Sequence, residues 1–335
     1  MNRRRSIGAA FLLATFAAIG SVGRTAPAET PLKIIVFPGG QAWPLWVGDE
    51  RGFFVREGLA VETAYTPGSV FQMTKLIDGE FDIAITNIDN VIAYDEGLGE
   101  VAVAGTPDLF AFIGGNTGML SLYATPEIGA YADLRGKALA VDAVTTGYAF
   151  VLREMLAQHG LGETDYRLVP VGGTAARWSA LQQRQYAATM LNPHFDALAS
   201  AAGFRFLGNA NDVFHSYQGL VGSARRSWAT GHRDELVRFI RAYTASVKWL
   251  CDRAHEDEAV DMFRRRMPGT TVDVARTTYG AEFASPGGFH EDLALDVDGI
   301  RTVLALRRKY GQPKKELGPP EKYYDLSYYS GALGR

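Results

Sequence analysis

The sequence predicts an α/β protein of two lobes with a ligand cleft between them, and three observations carry that expectation. A pattern that begins at Gly68 (Gly-Ser-Val-Phe-Gln-Met-Thr-Lys-Leu-Ile-Asp-Gly-Glu-Phe-Asp-Ile-Ala-Ile-Thr-Asn) and ends at Asn87 returns between Gly173 and Asn192 with the same spacing. Each copy closes a succession of strand, helix, strand, helix, strand, the grammar of a parallel sheet with right-handed crossovers. About 300 residues remain after the first segment, enough to bury two cores of ordinary size.

That first segment holds Arg3, Arg4 and Arg5, followed at 7–20 by an unbroken run of apolar and small residues. The run is too short to span a bilayer. With Ala26-Pro27-Ala28 ahead of Glu29, residues 1–28 fit a cleavable secretory signal and imply a periplasmic protein. Arg4-Arg5 also suits twin-arginine export, but Phe-Leu-Lys does not follow, so ordinary secretion is favoured. Cys251 is the one cysteine, which excludes an internal disulfide, and none lies at the cleavage region to accept a lipid. The chain carries 34 Lys and Arg against 37 Asp and Glu, a formal net charge of −3. Nucleic acid and anionic membrane surfaces are therefore not expected partners, and a soluble monomer without membrane insertion is.

In chain order, residues 32–37 read as a buried strand bounded by Pro38-Gly39-Gly40, and 44–57 as a helix with Pro44 at its start and Gly58 at its stop. Residues 59–65 alternate as a strand, Pro67-Gly68-Ser69 turns the chain, 70–78 form a helix, and 81–86 the third strand. Residues 101–112 and 119–124 look like strands around Gly114-Gly115-Asn116-Thr117-Gly118, where the first crossing between lobes is expected. The second copy has strands at 138–141, 166–171 and 186–191, with helices at 148–159 and from Thr174 to about Gln183. Residues 216–224 are extended and carry the chain back. Four amphipathic helices, 233–252, 255–267, 272–283 and 297–310, are expected to pack on the first lobe, ahead of a Pro- and Tyr-rich tail. The lobes are thus expected at 29–115 with 218–335, and at 116–217.

In open parallel sheets the loops after the strands gather at one edge, together with helix N-termini. This selects Gln41, Trp43, Gly68, Ser69, Asn87, Asp89 and Asn90 from one lobe, and Thr145, Thr146, Tyr148, Asn192 and His194 from the other, as candidate ligand-binding residues. Trp43 and Tyr148 suit stacking on a planar ligand, and the amides and hydroxyls suit orienting it. Each has an alternative use. Trp43 equally suits core packing, Asn87 and Asn192 equally cap the next turn, and Thr145-Thr146-Gly147 either caps its helix or receives an anion on backbone amides. Asp89 and Asp142 oppose a bare anion. Arg177, inside a helix, reads as solvated or ion-paired.

No Walker loop, zinc-ligand helix, Gly-x-Ser-x-Gly elbow or Cys and His cluster occurs. Asp292, Asp296 and Asp298 lack the ligand spacing of a calcium loop and read as a solvated turn. Neither a cofactor, a metal nor a catalytic residue is expected.

Residues 51–59 (Arg-Gly-Phe-Phe-Val-Arg-Glu-Gly-Leu), 78–84 (Asp-Gly-Glu-Phe-Asp-Ile-Ala), Asp133-Leu134-Arg135-Gly136-Lys137 and Tyr324-Asp325-Leu326-Ser327 stand in a recognisable order. From Leu32 to the tail the chain resembles the ABC-transporter substrate-binding proteins of the nitrate, sulfonate, taurine and thiamine-pyrimidine-precursor type. The resemblance implies a type II periplasmic-binding-protein fold with a hinge of two crossing segments. It also implies capture of a small organic solute, such as a sulfonate, an aromatic acid or a pyrimidine, for delivery to a permease and its ATPase. The family's cleft loops fall on the candidate residues named above. The chain departs at Gln183-Arg184-Gln185, where the family usually has a glycine, as Gly79 stands in the first copy. With no anion-selecting Lys or Arg evident in the loops, nitrate is less favoured than a larger organic solute. The alternative is an enzyme on the same fold, a pyrimidine-precursor synthase or a small-acid dehydratase. Cys251 in an outer helix and the export signal speak against it. A sensor ectodomain would need a membrane span that the sequence lacks.

Overall fold

The run of β-branched and apolar residues at the start of the described chain forms β1 (Thr30–Val36), with Ile34, Ile35 and Val36 fully buried. The computed structural model describes residues 29–334, so the signal-peptide reading of 1–28 lies outside the described residues. After a 3-10 turn at Gly40–Ala42 come α1 (Trp43–Glu50) and α2 (Phe53–Arg56). The sequence predicts one helix here. Gly52, in the left-handed region at φ 66°, breaks it in two.

The first repeat continues with β2 (Leu59–Tyr65), α3 (Ser69–Ile77), β3 (Ile83–Asn87) and α4 (Ile88–Asp95), then β4 (Leu109–Gly114). The second lobe holds β5 (Ser121–Ala124), β6 (Ala138–Val141), α5 (Gly147–Gln158), β7 (Arg167–Pro170), α6 (Thr174–Gln182), β8 (Ala188–Leu191), α7 (Phe195–Ala201) and β9 (Arg205–Asn209). β10 (Leu220–Arg225) returns the chain, followed by α8 (Arg226–Gly231), α9 (Arg233–Cys251), α10 (Glu256–Arg266), α11 (Val272–Phe283), α12 (Val297–Tyr310) and α13 (Ser327–Leu333).

Two five-stranded sheets result, ordered β2-β1-β3-β10-β4 and β7-β6-β8-β5-β9. In each, the repeat supplies three parallel strands. The strand next to them is a visitor that has just crossed from the other sheet and runs antiparallel, β10 in the first and β5 in the second. The sheets are therefore mixed, a correction to the wholly parallel grammar. The parallel pairs need helical crossovers, whereas a strand arriving from the opposite lobe enters from the other end. The departure at Gln183-Arg184-Gln185 is absorbed locally, since Arg184 adopts the left-handed conformation (φ 56°) that Gly79 adopts at φ 82° in the first copy.

The two crossing segments lie against each other. Gly219 N donates to Asn116 O at 3.1 Å, and Leu220 N donates to Asn116 Oδ1 at 3.4 Å. One face of the first sheet packs against α9, α10 and α11, whose apolar stripe includes Phe239, Tyr243, Phe263 and Tyr279. From its other face a continuous apolar cluster runs through α4 and α12 into α5 and the second sheet. So α12 does not pack on the first lobe alone. It also lies along α5, where Lys309 Nζ and the Tyr310 hydroxyl meet Glu154 Oε2 at 2.6 and 2.7 Å.

Candidate functional site

The carboxyl ends of β1, β3, β6 and β8 and the N-termini of α4, α5 and α6 converge between the sheets around a small, tight pocket. The lobes touch around it. Gly173 N donates to Pro67 O at 2.8 Å, Ser69 N to Asp142 Oδ2 at 3.1 Å, and the Tyr148 hydroxyl to Asn87 Oδ1 at 2.6 Å. Two glycines permit this approach. A Cβ on Gly173 would stand 2.9 Å from Pro67 O and 3.3 Å from Phe37 Cε1, and one on Gly147 would stand 2.6 Å from Asp89 Cβ. The structure is a closed form.

Charge inside the cleft is arranged unevenly. Asp89, 1% exposed, is held by a bidentate pair with Arg307 of α12 (Nε to Oδ1 at 2.9 Å, Nη2 to Oδ2 at 2.6 Å) and accepts from Gly147 N. Arg307 also donates to Thr145 O at 2.9 Å. Arg177, in the first turns of α6, is 2% exposed and lines the cavity, and no carboxylate pairs with it among the described residues. Its Nη2 donates to Thr174 Oγ1 at 2.7 Å, while its Nε has no partner. Burial lowers its pKa from the ordinary value, and the field of Asp142 partly offsets this. Gln41 Oε1 and Asn192 Oδ1, both in the cavity wall, are likewise buried and unpartnered. A buried polar atom without a partner costs free energy that a bound group can return.

The model of the family described as NMT1/THI5 like matches residues 40–258, a span that holds the second repeat, the first repeat after β1 and the whole cavity wall except Phe37. The chain belongs to the NMT1/THI5-like family. Among solved structures, a protein of Bordetella bronchiseptica RB50 is 20% identical over 92% of this chain and 98% of its own, with a TM-score of 0.77. The periplasmic nitrate-binding protein NrtA of Synechocystis PCC 6803 is 13% identical over 92% and 90%, with a TM-score of 0.78. The alkanesulfonate-binding protein SsuA of Xanthomonas axonopodis pv. citri, bound to MOPS, is 15% identical over 90% and 99%, with a TM-score of 0.72. At these identities the likeness establishes the fold, that of the periplasmic binding proteins. No curated protein matches the sequence.

In this NMT1/THI5-like protein, seven of the expected residues meet at the cavity: Gln41, Asn87, Asp89, Asn90, Thr146, Tyr148 and Asn192. Asp89 and Asn90 sit in the first turn of α4 and not in a loop. The others lie elsewhere. Gly68 and Ser69 form the closing contact against Asp142 and Gly172-Gly173. Thr145 turns its hydroxyl to Glu100 Oε2 at 2.6 Å. Trp43 is fully buried against Phe263, Phe283 and Tyr279, with ring centroids 4.3, 5.4 and 6.0 Å away, so of its two sequence readings the structure places it in the core. His194 packs between Phe195 and Phe263 in a strained backbone conformation at φ 83°, and burial pushes its pKa down to about 4.

Arg177 is the residue that sequence reasoning set aside. The signal was present, because Arg177 stands one helical turn before Leu181, the core leucine of the repeat, and so lies on the buried face. The equivalent place in the first copy is Gln72, also fully buried, whose Nε2 donates to Ile35 O and Ile85 O. Among the described residues no cluster of His, Cys, Asp and Glu is placed to hold a metal, and no helix is long and apolar enough to cross a membrane.

Proposed function

We propose that the chain is an extracytoplasmic solute-binding protein of an ABC importer. It closes two lobes over a small organic acid, a sulfonate or a carboxylate, and delivers it to a permease and its ATPase as a monomer in the periplasm. The moving bodies are taken as residues 29–115 with 218–335, and 116–217. The observation that carries this reading is Arg177: a guanidinium buried in a closed cleft, with a free Nε and no paired carboxylate, suits an anion that supplies the missing charge. Of the acidic groups nearby, Asp89 is paired with Arg307, whereas Asp142 accepts only from Ser69 N and shares its field with Arg177. Gln41, Asn90 and Asn192 would orient the rest of the solute.

Binding without turnover is the favoured activity. Glu282 and His194, buried groups with displaced pKa values, do not line the cavity, and the displaced groups that do, Tyr148 and Arg177, are shifted chiefly by burial, which holds the phenol neutral. The first test is thermal-shift screening of the purified protein against sulfonates, taurine, aromatic acids and pyrimidines, with calorimetry of each hit in the wild type and in Arg177→Gln. An acid should bind one-to-one and lose roughly tenfold to a hundredfold in affinity in the variant, the worth of a hydrogen bond to a charged group. Equal affinity in both proteins would sink the acid reading, and product formation would sink the binding-only reading.

A further inference from the structure

Two helices that begin at the cleft are capped from across it. Thr145 N, just ahead of α5, donates to Glu100 Oε2 at 3.2 Å, the Thr145 hydroxyl donates to the same oxygen at 2.6 Å, and Gly147 N, the first residue of α5, donates to Asp89 Oδ2. Both carboxylates belong to the first lobe and α5 to the second. The exchange is reciprocal, because Ser69 N, the first residue of α3 in the first lobe, donates to Asp142 Oδ2 of the second at 3.1 Å. At the N-cap positions of these helices, Gly68 and Thr146, no side chain makes a capping bond. The N–H groups of a first helical turn have no partner within the helix, and the helix dipole favours a negative group beside them. Each lobe therefore supplies the anion that the other lobe's helix lacks.

Glu100 is aimed at this contact by the chain that precedes it. After α4, Gly97 takes the left-handed conformation at φ 68°, Leu98 N returns to Ala93 O at 2.7 Å, and the Leu98 side chain is buried. Gly99 then lies against the Tyr94 ring, where a Cβ would stand 2.7 Å from Cε1. Glu100 follows at once. Asp89 and Asp142 line the cavity, whereas neither Glu100 nor Thr145 does, so this pair acts on the seam between the lobes without touching what the cavity holds. We propose that Glu100 is a latch that draws the lobes together before cargo arrives, so that the empty protein already populates the closed form. The donors and acceptors of the seam satisfy one another, and closure leaves none of them waiting for a group from the cargo. Cargo then enters only in the intervals when the seam is parted, and the latch limits the rate of capture. The proposal holds whether or not the cargo is an acid, and so stands apart from the reading of Arg177.

The test is amide hydrogen exchange, followed residue by residue by NMR on purified protein freed of bound solute by dialysis. Thr145, Ser69 and Gly173 each donate their N–H across the seam, so their exchange reports the closed fraction. In the wild type all three should be protected. Glu100→Ala should speed all three roughly tenfold, the low end of the worth of a hydrogen bond to a charged group, while the amides of β1 and β3 keep their rates. Thr145→Val removes the hydroxyl half of the contact from the opposite lobe and should speed Ser69 and Gly173 in the same direction. If Glu100→Ala also speeds the β1 and β3 amides, and so loosens the fold, Thr145→Val decides. Rapid exchange of Ser69 and Gly173 in the cargo-free wild type would mean that closure waits for cargo. Unchanged rates at those two residues in the variants would make Glu100 a local cap of α5. Either result overturns the latch.

Discussion

Glu282 is fully buried on α11, with Oε2 accepting from Asn116 Nδ2 at 3.3 Å and Oε1 unpartnered. Burial pushes its pKa up to about 8, and the nearby Asp196, itself raised to about 6 by burial, adds to the effect. An acid held protonated in the folded state and ionised in the unfolded one contributes stability that is complete below about pH 4.5 and is lost as pH rises through about 8. His194 acts in the opposite sense, but only below its ordinary value of 6.5. The melting temperature should therefore fall between pH 6.5 and 8, and Glu282→Gln should flatten that slope. A slope unchanged in the variant would assign the effect to other groups. Tyr243, fully buried, and Tyr148, partly buried, feel the Glu282 charge and should titrate at lower pH in the variant. None of this was legible in the sequence, where Glu282 is one acid on an amphipathic helix. Burial of a polar side chain depends on what the opposite element brings, here Gly40, whose missing Cβ leaves room for the carboxylate.

Helices and the parallel strands are the elements that local pattern encodes. In α9, Leu236, Phe239, Ile240, Tyr243, Val247 and Leu250 fall on one stripe, and the expected bounds of 233–252 differ from the observed Arg233–Cys251 by one residue. Strand direction is different. β5 and β10 have the same kind of apolar sequence as their parallel neighbours, and nothing within either says that it will be paired by strands from the far lobe. The turn at Gly173 carries a prediction at this scale. Its backbone is ordinary (φ −59°), so Gly173→Ala should fold, but the added methyl meets Pro67 O and Phe37 just where the lobes close. Overpacking of about 1–3 kcal/mol would fall on the closed form alone. Affinity should drop roughly fivefold or more with the melting temperature of the free protein little changed, measured by calorimetry and thermal shift. A large loss of stability with normal affinity would place the strain elsewhere.

Across the whole molecule, the repeat announced two lobes and a cleft, but the long return through α12 was not visible from spacing alone. Arg307 is 2% exposed and joins three parts: Asp89 of α4, Thr145 O ahead of α5, and its own helix. Whichever lobe α12 follows, opening must part Arg307 from Asp89 or Arg307 from Thr145, and in either case Asp89 from Gly147. Removing one partner of a buried pair typically costs about 3–5 kcal/mol. Arg307→Met should lower the melting temperature and, by small-angle scattering, enlarge the radius of gyration of the free protein toward that of an open form. An unchanged scattering profile would mean that the pair holds the fold and not the closure. If it holds the closure, the node at Arg307 sets a clock as well as a shape. Cargo leaves no faster than these bonds break, so residence time is governed in part by Arg307, which lines no part of the cavity, and release is quickest when something pulls on the back of the molecule.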